Sequence, residues 1–173
     1  MTRTKLLFWA ALSLASAAPV AAAVQPVPLQ PDPLADVHAP PSAIVDYGPT
    51  IVFFDSGSAR ITDQGTGILR SFIGFIQHHH RDLAVVVVMG NSDRAGSETA
   101  NLAISCRRAI AVRRWLLANG LRGKRINAFG FGESMPLVAT ADGDQDPQNR
   151  YAAVRGGRPN EVPPGAIRCA GSA

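Results

Sequence analysis

Apolar positions recur along this chain in two rhythms, one of strands and one of helices. Leu83 to Met89 is apolar at every position, which reads as a strand buried on both faces and so central in its sheet. Ile61, Ile68, Leu69, Phe72, Ile73 and Ile76 recur at helical spacing, with Thr62 placed to cap the start. Gly65, Gly67 and Gly74 weaken that helix by up to about 1 kcal/mol each relative to Ala, so packing must hold it. A longer helix is predicted from Ser97 to Asn119, stopped by Asn119-Gly120. Its buried face is expected to carry Leu102, Ala109 and Leu116, with Ile110 and Leu117 further round. Asn101, Ser105 and Arg108 stand at i, i+4 and i+7 and form a polar stripe, expected on the rim of the core.

The remaining strands are shorter. Thr50 to Phe54 is a β-branched and aromatic run that ends at Asp55-Ser56-Gly57-Ser58, a turn signal. Arg125 to Phe131 reads as a third strand and Tyr151 to Val154 as a fourth. The order β-α-β-α-β-β is a layered α/β pattern whose crossovers should be right-handed, although periodicity alone does not decide the strand order. Residues 156–173 are rich in Gly and Pro and read as a loose C-terminal tail.

The 173 residues allow one domain with a real core and not two ordinary ones. Arg3 and Lys5, the apolar run Leu6 to Ala18 and the small residues Ala21-Ala22-Ala23 predict a secretory signal over 1–23, cleaved before Val24. An uncleaved membrane anchor is the alternative, since Leu6 to Val24 is nearly long enough to span, but Ser13, Ser16 and Pro19 interrupt it. No Cys follows the apolar run, so a lipid-modified N-terminus is not expected. Residues 24–47 hold Pro26, Pro28, Pro31, Pro33, Pro40 and Pro41 and read as an extended linker. The candidate domain is 48–155.

Loss of the signal removes Arg3 and Lys5 and no acid, so the 17 basic and 13 acidic residues of the chain become 15 and 13. That balance gives no basic footprint for nucleic acid. The one cluster, Arg107, Arg108, Arg113 and Arg114, places Arg107 and Arg114 on the helix face away from the core, where a solvated face is the simpler reading.

The stretch most suited to chemistry is Gly90-Asn91-Ser92-Asp93-Arg94-Ala95-Gly96-Ser97, a glycine-flanked acidic turn between the most apolar strand and the long helix. With Asn101, Ser105, Arg108 and Ala109 it resembles the signature of the OmpA-like domain, the peptidoglycan-binding module of outer-membrane protein A and of peptidoglycan-associated lipoproteins. Gly90, Asp93, Gly96, Asn101, Ser105, Arg108 and Ala109 match in order and spacing. Asn91 and Ser92 replace the family's His and Thr, and Ile104 its Leu. Gly130-Phe131-Gly132-Glu133-Ser134-Met135-Pro136 and Asn149-Arg150 match two further motifs, with Tyr151 where the family has a second Arg. The resemblance implies an α/β sandwich with a mixed four-stranded sheet packed with helices. It also implies the binding module without a barrel, since no long alternating strands are present.

What the resemblance implies for function is non-catalytic binding of peptidoglycan, through the diaminopimelate of the peptide stem, in the periplasm or at the outer membrane. The expected partners are peptidoglycan and outer-membrane or other envelope proteins, with no cofactor. An ammonium and a carboxylate on one carbon call for a fixed anion and a planar cation, and Asp93 and Arg108 match the positions that supply them. The simpler alternative is that Asp93 caps the helix or pairs with Arg94 or Arg108. Asn101 and Ser105 are expected to hold the turn against the helix or touch ligand. Asp55 ends the first strand at the groove wall, and Arg150 braces the site from the last strand.

Other constellations carry less. His78-His79-His80 cannot converge on one metal ion from a helix, where successive residues point about 100° apart, and suits a helix C-terminus. Asp142, Asp144 and Asp146 begin like a calcium loop, but Pro147 and Ala153 stand where Gly and Glu are needed. Gly130-x-Gly132 lacks the third Gly of a dinucleotide site. An envelope hydrolase using Asp55, Asp93 or Glu133 is a second reading, though no His stands by to form a triad. A protein-binding adaptor that no longer accepts peptidoglycan is a third.

Cys106 and Cys169 are the only cysteines and would share an oxidising compartment after export. A bridge between them would staple the tail across the domain; a buried free Cys106 with a mobile tail is the alternative. The signal reading has its own test. Intact mass of protein from the envelope fraction should begin at Val24, and a mass that retains Met1 would make the chain an inner-membrane-anchored protein.

Overall fold

A computed structural model of the protein describes residues 49–170 apart from Asp82 and Pro159. The expected signal over 1–23 and linker over 24–47 lie outside the described residues. The elements are β1 (Thr50–Phe53), α1 (Asp63–His79), β2 (Val85–Gly90), α2 (Glu98–Ala118), β3 (Arg125–Gly130), β4 (Tyr151–Gly157) and β5 (Ile167–Arg168). Both helices start where a side chain takes over an orphan amide. Thr62 Oγ1 accepts from Gly65 N at 3.1 Å, and Ser97 Oγ accepts from Ala100 N at 3.3 Å.

The five strands lie in the order β1-β4-β2-β3-β5. β2 and β3 are parallel, and β4 is antiparallel to both β1 and β2. β1 and β2 therefore run the same way with β4 between them, and β2 is central, as its unbroken apolar run predicts. The sheet is mixed and packed with two helices, as expected, but it has five strands where four are expected.

Both faces of β2 are covered, by different parts of the chain. Val86 and Val88 join Ile126, Ala128, Ala152, Val154 and the apolar faces of α1 and α2 in the main core. Val85 and Val87 point the other way and pack with Phe129 and Phe131. The segment after β4 covers that second face. Ala166 packs on it and the Arg168 guanidinium lies 5.0 Å from the centroid of the Phe129 ring. Gly157 permits the closure, because a Cβ there would stand 2.4 Å from Val87 Cγ2.

The tail over 156–173 is thus not loose where it is described. β4 continues to Gly157, and β5 adds an edge strand by pairing Ile167 with Gly130 and Arg168 with Phe129. Glu161 accepts from Arg155 Nη2 and, at 2.9 Å, from Arg158 N, and the Arg155 bond holds its carboxyl below the ordinary range against the opposing effect of burial. Cys106 and Cys169 form a disulfide with Cα atoms 5.4 Å apart. The physical reason the composition misleads is that this segment is held by pairing, a bridge and one ion pair, and not by an apolar period.

A bridge closing a loop of this length should stabilise the fold by roughly 2 to 4 kcal/mol. Thiol counting on denatured, unreduced protein should find none free, and reduction should lower the melting temperature. Two thiols per chain would show the bridge does not form.

Candidate functional site

The site stands where β2 and β3 end. Gly90 and Gly130 are paired across the two strands, and neither position has room for a side chain. A Cβ on Gly90 would lie 1.9 Å from the Ser105 carbonyl oxygen, and one on Gly130 would lie 2.7 Å from Cys106 Sγ and 2.8 Å from Ser105 Oγ. The two glycines let α2 descend to backbone contact with the sheet. Ser105 then stitches the approach, donating to Leu102 O at 2.8 Å and accepting from Gly132 N at 3.0 Å.

This contact changes where the polar stripe of α2 lies. Asn101, Ser105 and Arg108 are 3%, 0% and 1% exposed, so the stripe is buried and not on the rim of the core. Leu102, Ile110 and Leu117, expected on the buried face, are half-buried, while Ile104 and Val112 join Ala109 and Leu116 inside. The reason is local. Against two glycines and two strand ends the helix meets main chain, and main chain needs polar partners.

Arg108 answers that need across two loops. Its Nε donates to Ser58 O at 3.0 Å, Nη1 to Asn91 O at 2.8 Å and Nη2 to Asp55 O at 3.2 Å. The guanidinium also sits 5.4 Å from the Phe54 ring centroid. Burial pushes its pKa down to about 10, against the pull of Asp93 upward and with the help of Arg150 and Arg107. At neutral pH it is still a cation. Three of its five N–H groups are committed to carbonyls, and two are left.

Asp93 is 6% exposed and its partner is neither Arg94, Arg108 nor the helix start. Arg150 Nη1 donates to Asp93 Oδ2 at 2.9 Å while Arg150 Nε donates to Phe54 O at 3.2 Å. The brace expected of Arg150 is therefore direct. In the turn itself, Asn91 N donates to Tyr151 O at 2.8 Å and Ser92 N to Gly132 O at 2.7 Å. The amides of residues 93–96 find no acceptor among the described residues. Asn91 Oδ1 and Ser92 Oγ are likewise buried without a partner there, at an expected cost of about 1–3 kcal/mol each.

Asn101 makes no hydrogen bond to Asp93 among the described residues. Its Nδ2 donates to Glu133 Oε2 at 2.5 Å, and Glu133 Oε1 lies 3.7 Å from Arg94 Nη2, which also pairs with Asp142. Glu133, Arg94 and Asp142 thus form a wall that sequence reasoning did not assemble; the Gly-x-Gly-Glu motif was its one signal. Asp144 and Asp146 accept from Ala141 N and Gln148 N as turn caps. Asn149 closes the same loop through two bonds to Val138, at 2.9 and 2.7 Å. Tyr151 donates its hydroxyl to Met135 O at 2.8 Å, and burial raises its pKa. The Asp55 side chain is exposed at the lip, and it enters the cluster through its carbonyl.

Asp93, Arg108 and Arg150 thus stand in one cluster, with Asn101 and Ser105 supporting from the helix. A family model described as the OmpA family matches residues 53–150, more than half the chain. The chain belongs to the OmpA family. The matched region of this OmpA domain contains each of the six expected site residues, whereas β4 and β5 lie beyond it.

Over 120 residues the chain is 30% identical to the peptidoglycan-associated lipoprotein of Mesorhizobium japonicum, spanning 67% of this chain and 70% of that one. It is 29% identical over 102 residues to outer membrane protein A of Bordetella avium, covering 59% of this chain and about half, 52%, of the relative. Among solved structures, the peptidoglycan-associated lipoprotein of Burkholderia pseudomallei is 30% identical with a TM-score of 0.51, over 61% of this chain and 88% of that one. The C-terminal domain of Helicobacter pylori MotB shares the fold at a TM-score of 0.53 and 16% identity, over 65% and 86% of the two chains.

Arg108 carries a structural load apart from any ligand. Arg108→Ala removes a donor from three carbonyls, of which Asp55 O keeps the bond from Ser58 N at 3.1 Å, and should destabilise the domain by on the order of 2 to 3 kcal/mol. A urea titration measures this, and an unchanged midpoint would show that the Arg108 bonds contribute nothing net.

Proposed function

We infer that this domain binds peptidoglycan without cutting it, at the Asp93 turn, and that it works in the cell envelope, where it ties the wall to a neighbouring layer. The relatives named as peptidoglycan-associated and outer-membrane proteins support the location and the ligand. The observation that carries the reading is one carboxylate, paired with the Arg150 guanidinium and within electrostatic reach of a second one on Arg108, at the end of the central strands.

That arrangement suits the head group of diaminopimelate. Asp93 Oδ2 is held by Arg150, and Oδ1 takes no bond among the described residues, so it faces the ammonium. The two remaining N–H groups of Arg108 face the carboxylate as a charge-assisted pair. The amides of residues 93–96 complete the anion's bonds. A ligand or water donor reaching Asn91 Oδ1 and Ser92 Oγ recovers part of what their burial costs. No step breaks a bond, and the site residues act by position and charge. The second reading, a protein-binding adaptor, draws on one observation: Arg108 is already tied to three carbonyls, which leaves a shallow claim on any ligand.

Because Arg108→Ala also perturbs the fold, Asp93→Asn is the cleaner test. It keeps shape and removes charge. A charge-assisted contact is worth roughly 1.5 to 3 kcal/mol, so pull-down with purified sacculi should weaken by about ten- to a hundredfold. Arg107→Ala, on the exposed side of α2, should bind as the unmutated domain does, and no muropeptides should be released. Equal binding by folded Asp93→Asn would overturn the site assignment. If neither protein binds sacculi, the adaptor reading takes its place.

A further inference from the structure

Charge is divided between the two ends of this domain. Asp55, Asp63, Asp93, Glu98, Glu133 and Asp142 stand where the helices start and β2 and β3 finish, with Arg60, Arg94, Arg108 and Arg150 among them, so acids outnumber cations there. At the opposite end, where both helices finish and β2 and β3 start, stand Arg81, Arg122, Lys124 and Arg125. None of these four makes an ion pair with an acid among the described residues. Arg81, Arg122 and Arg125 are exposed.

Part of this charge has an ordinary structural use. Arg81 Nε donates to Gln77 O at 3.0 Å and Lys124 Nζ to Arg81 O at 2.6 Å, so the two cations finish carbonyls at and just beyond the end of α1. A helix C-terminus carries about half a negative charge. Two of them offset about one cation of the four, Asp82, next to Arg81 in sequence, offsets another, and the remaining two are surplus.

The surplus surrounds a shape. Ile76, Gln77, Arg81, Gly120, Leu121 and Lys124 line an open depression of about 370 Å³. Its floor is apolar, from the buried Ile76 and Leu121, and its rim is cationic. The large apolar side chains the domain leaves exposed are Phe53, Met135, Leu137, Val162 and Ile167, and none belongs to the segments 76–81 and 120–125 that build this end. A protein interface is anchored by such side chains. Cations without anchors match a partner whose negative charge is spread over a surface.

We propose that this end of the domain docks on an anionic lipid bilayer, with Arg81 and Lys124 rimming the seat for one lipid phosphate. Each Lys or Arg near such a surface adds an attraction that fades within a Debye length. Strands of six residues put this end roughly 20 Å from the Asp93 turn. One domain can therefore meet a lipid surface and a second ligand at once, and the proposal does not depend on what the Asp93 turn binds.

The test is co-sedimentation of the full chain with phosphatidylcholine vesicles, with and without about one part in three of phosphatidylglycerol. Binding to the anionic vesicles should exceed binding to the neutral ones and fall between about 50 and about 300 mM salt. Arg81→Glu/Lys124→Glu, and separately Arg122→Glu/Arg125→Glu, should each cut it by about tenfold or more while sacculus binding stays as it was; the first pair also loses the carbonyl contacts at the end of α1 and should melt lower, whereas the second should melt as the unmutated chain does. Two variants guard against one that fails to fold. Equal partition of a folded variant and the unmutated chain would overturn the proposal. Binding of inorganic phosphate with no partition of the chain onto the anionic vesicles would overturn it too, in favour of a soluble phosphate ligand. Loss of a captured acidic protein, with vesicle binding unchanged, would assign this end to a protein partner instead.

Discussion

The closeness of α2 to the ends of β2 and β3 is the constraint from which the rest of this structure follows. It is a contact of main chain on main chain, made possible because Gly90 and Gly130 present no Cβ to Ser105 and Cys106. A helix so near two strand ends cannot finish its packing with apolar groups, since carbonyls and amides face it. Ser105 and Arg108 supply the donors and acceptors that this region lacks. Arg108 in turn fixes Asp55, Ser58 and Asn91, which come from two different loops. The carboxylate of Asp93 is thereby held on a turn with little freedom, next to a cation that cannot swing away. Rigidity of this kind is what a site needs if binding is not to be offset by ordering.

The strands and helices were legible because each carries its own local signal. The run from Leu83 to Met89 marked the central strand, and Thr62 and Ser97 marked the two helix starts. What lay on the second face of β2 was not legible, because the segment that covers it offers Ala166 and Arg168, and no period. The burial of the polar stripe was hidden for a related reason. Periodicity counts apolar residues, while the cause here is two glycines on neighbouring strands that only the strand register brings together. The partner of Asp93 was legible only through the family resemblance, which placed Arg150 at the site, and not through spacing. Arg150 lies 57 residues away, and no spacing rule links a turn after β2 to the start of β4.

The departures from the family pattern have visible structural effects. Tyr151, in place of the second Arg, sends its hydroxyl to Met135 and ties the loop after β3 to β4. This loop is also held by Asn149 and, through Asp142, by Arg94, so its position is fixed from three sides. Asn91 and Ser92, in place of His and Thr, leave two buried oxygens without partners among the described residues in the turn that carries Asp93. Charge is kept while the neutral hydrogen-bonding frame around it is altered. Selectivity among ligands that share one charged head group is set by such a frame, since the charges alone treat them alike.

The bridge between Cys106 and Cys169 has a topological meaning as well. The two cysteines are separated by 63 positions in sequence, and the covalent ring they close contains β3, the loop of Glu133 and Asp142, Arg150 and β4. A single cut by a protease anywhere inside that ring opens it without releasing a fragment. Both pieces stay on one molecule, with the wall of the site still joined to the helix that bears Arg108. A nick in the exposed loop between β3 and β4 thus becomes an injury from which the domain can reclose.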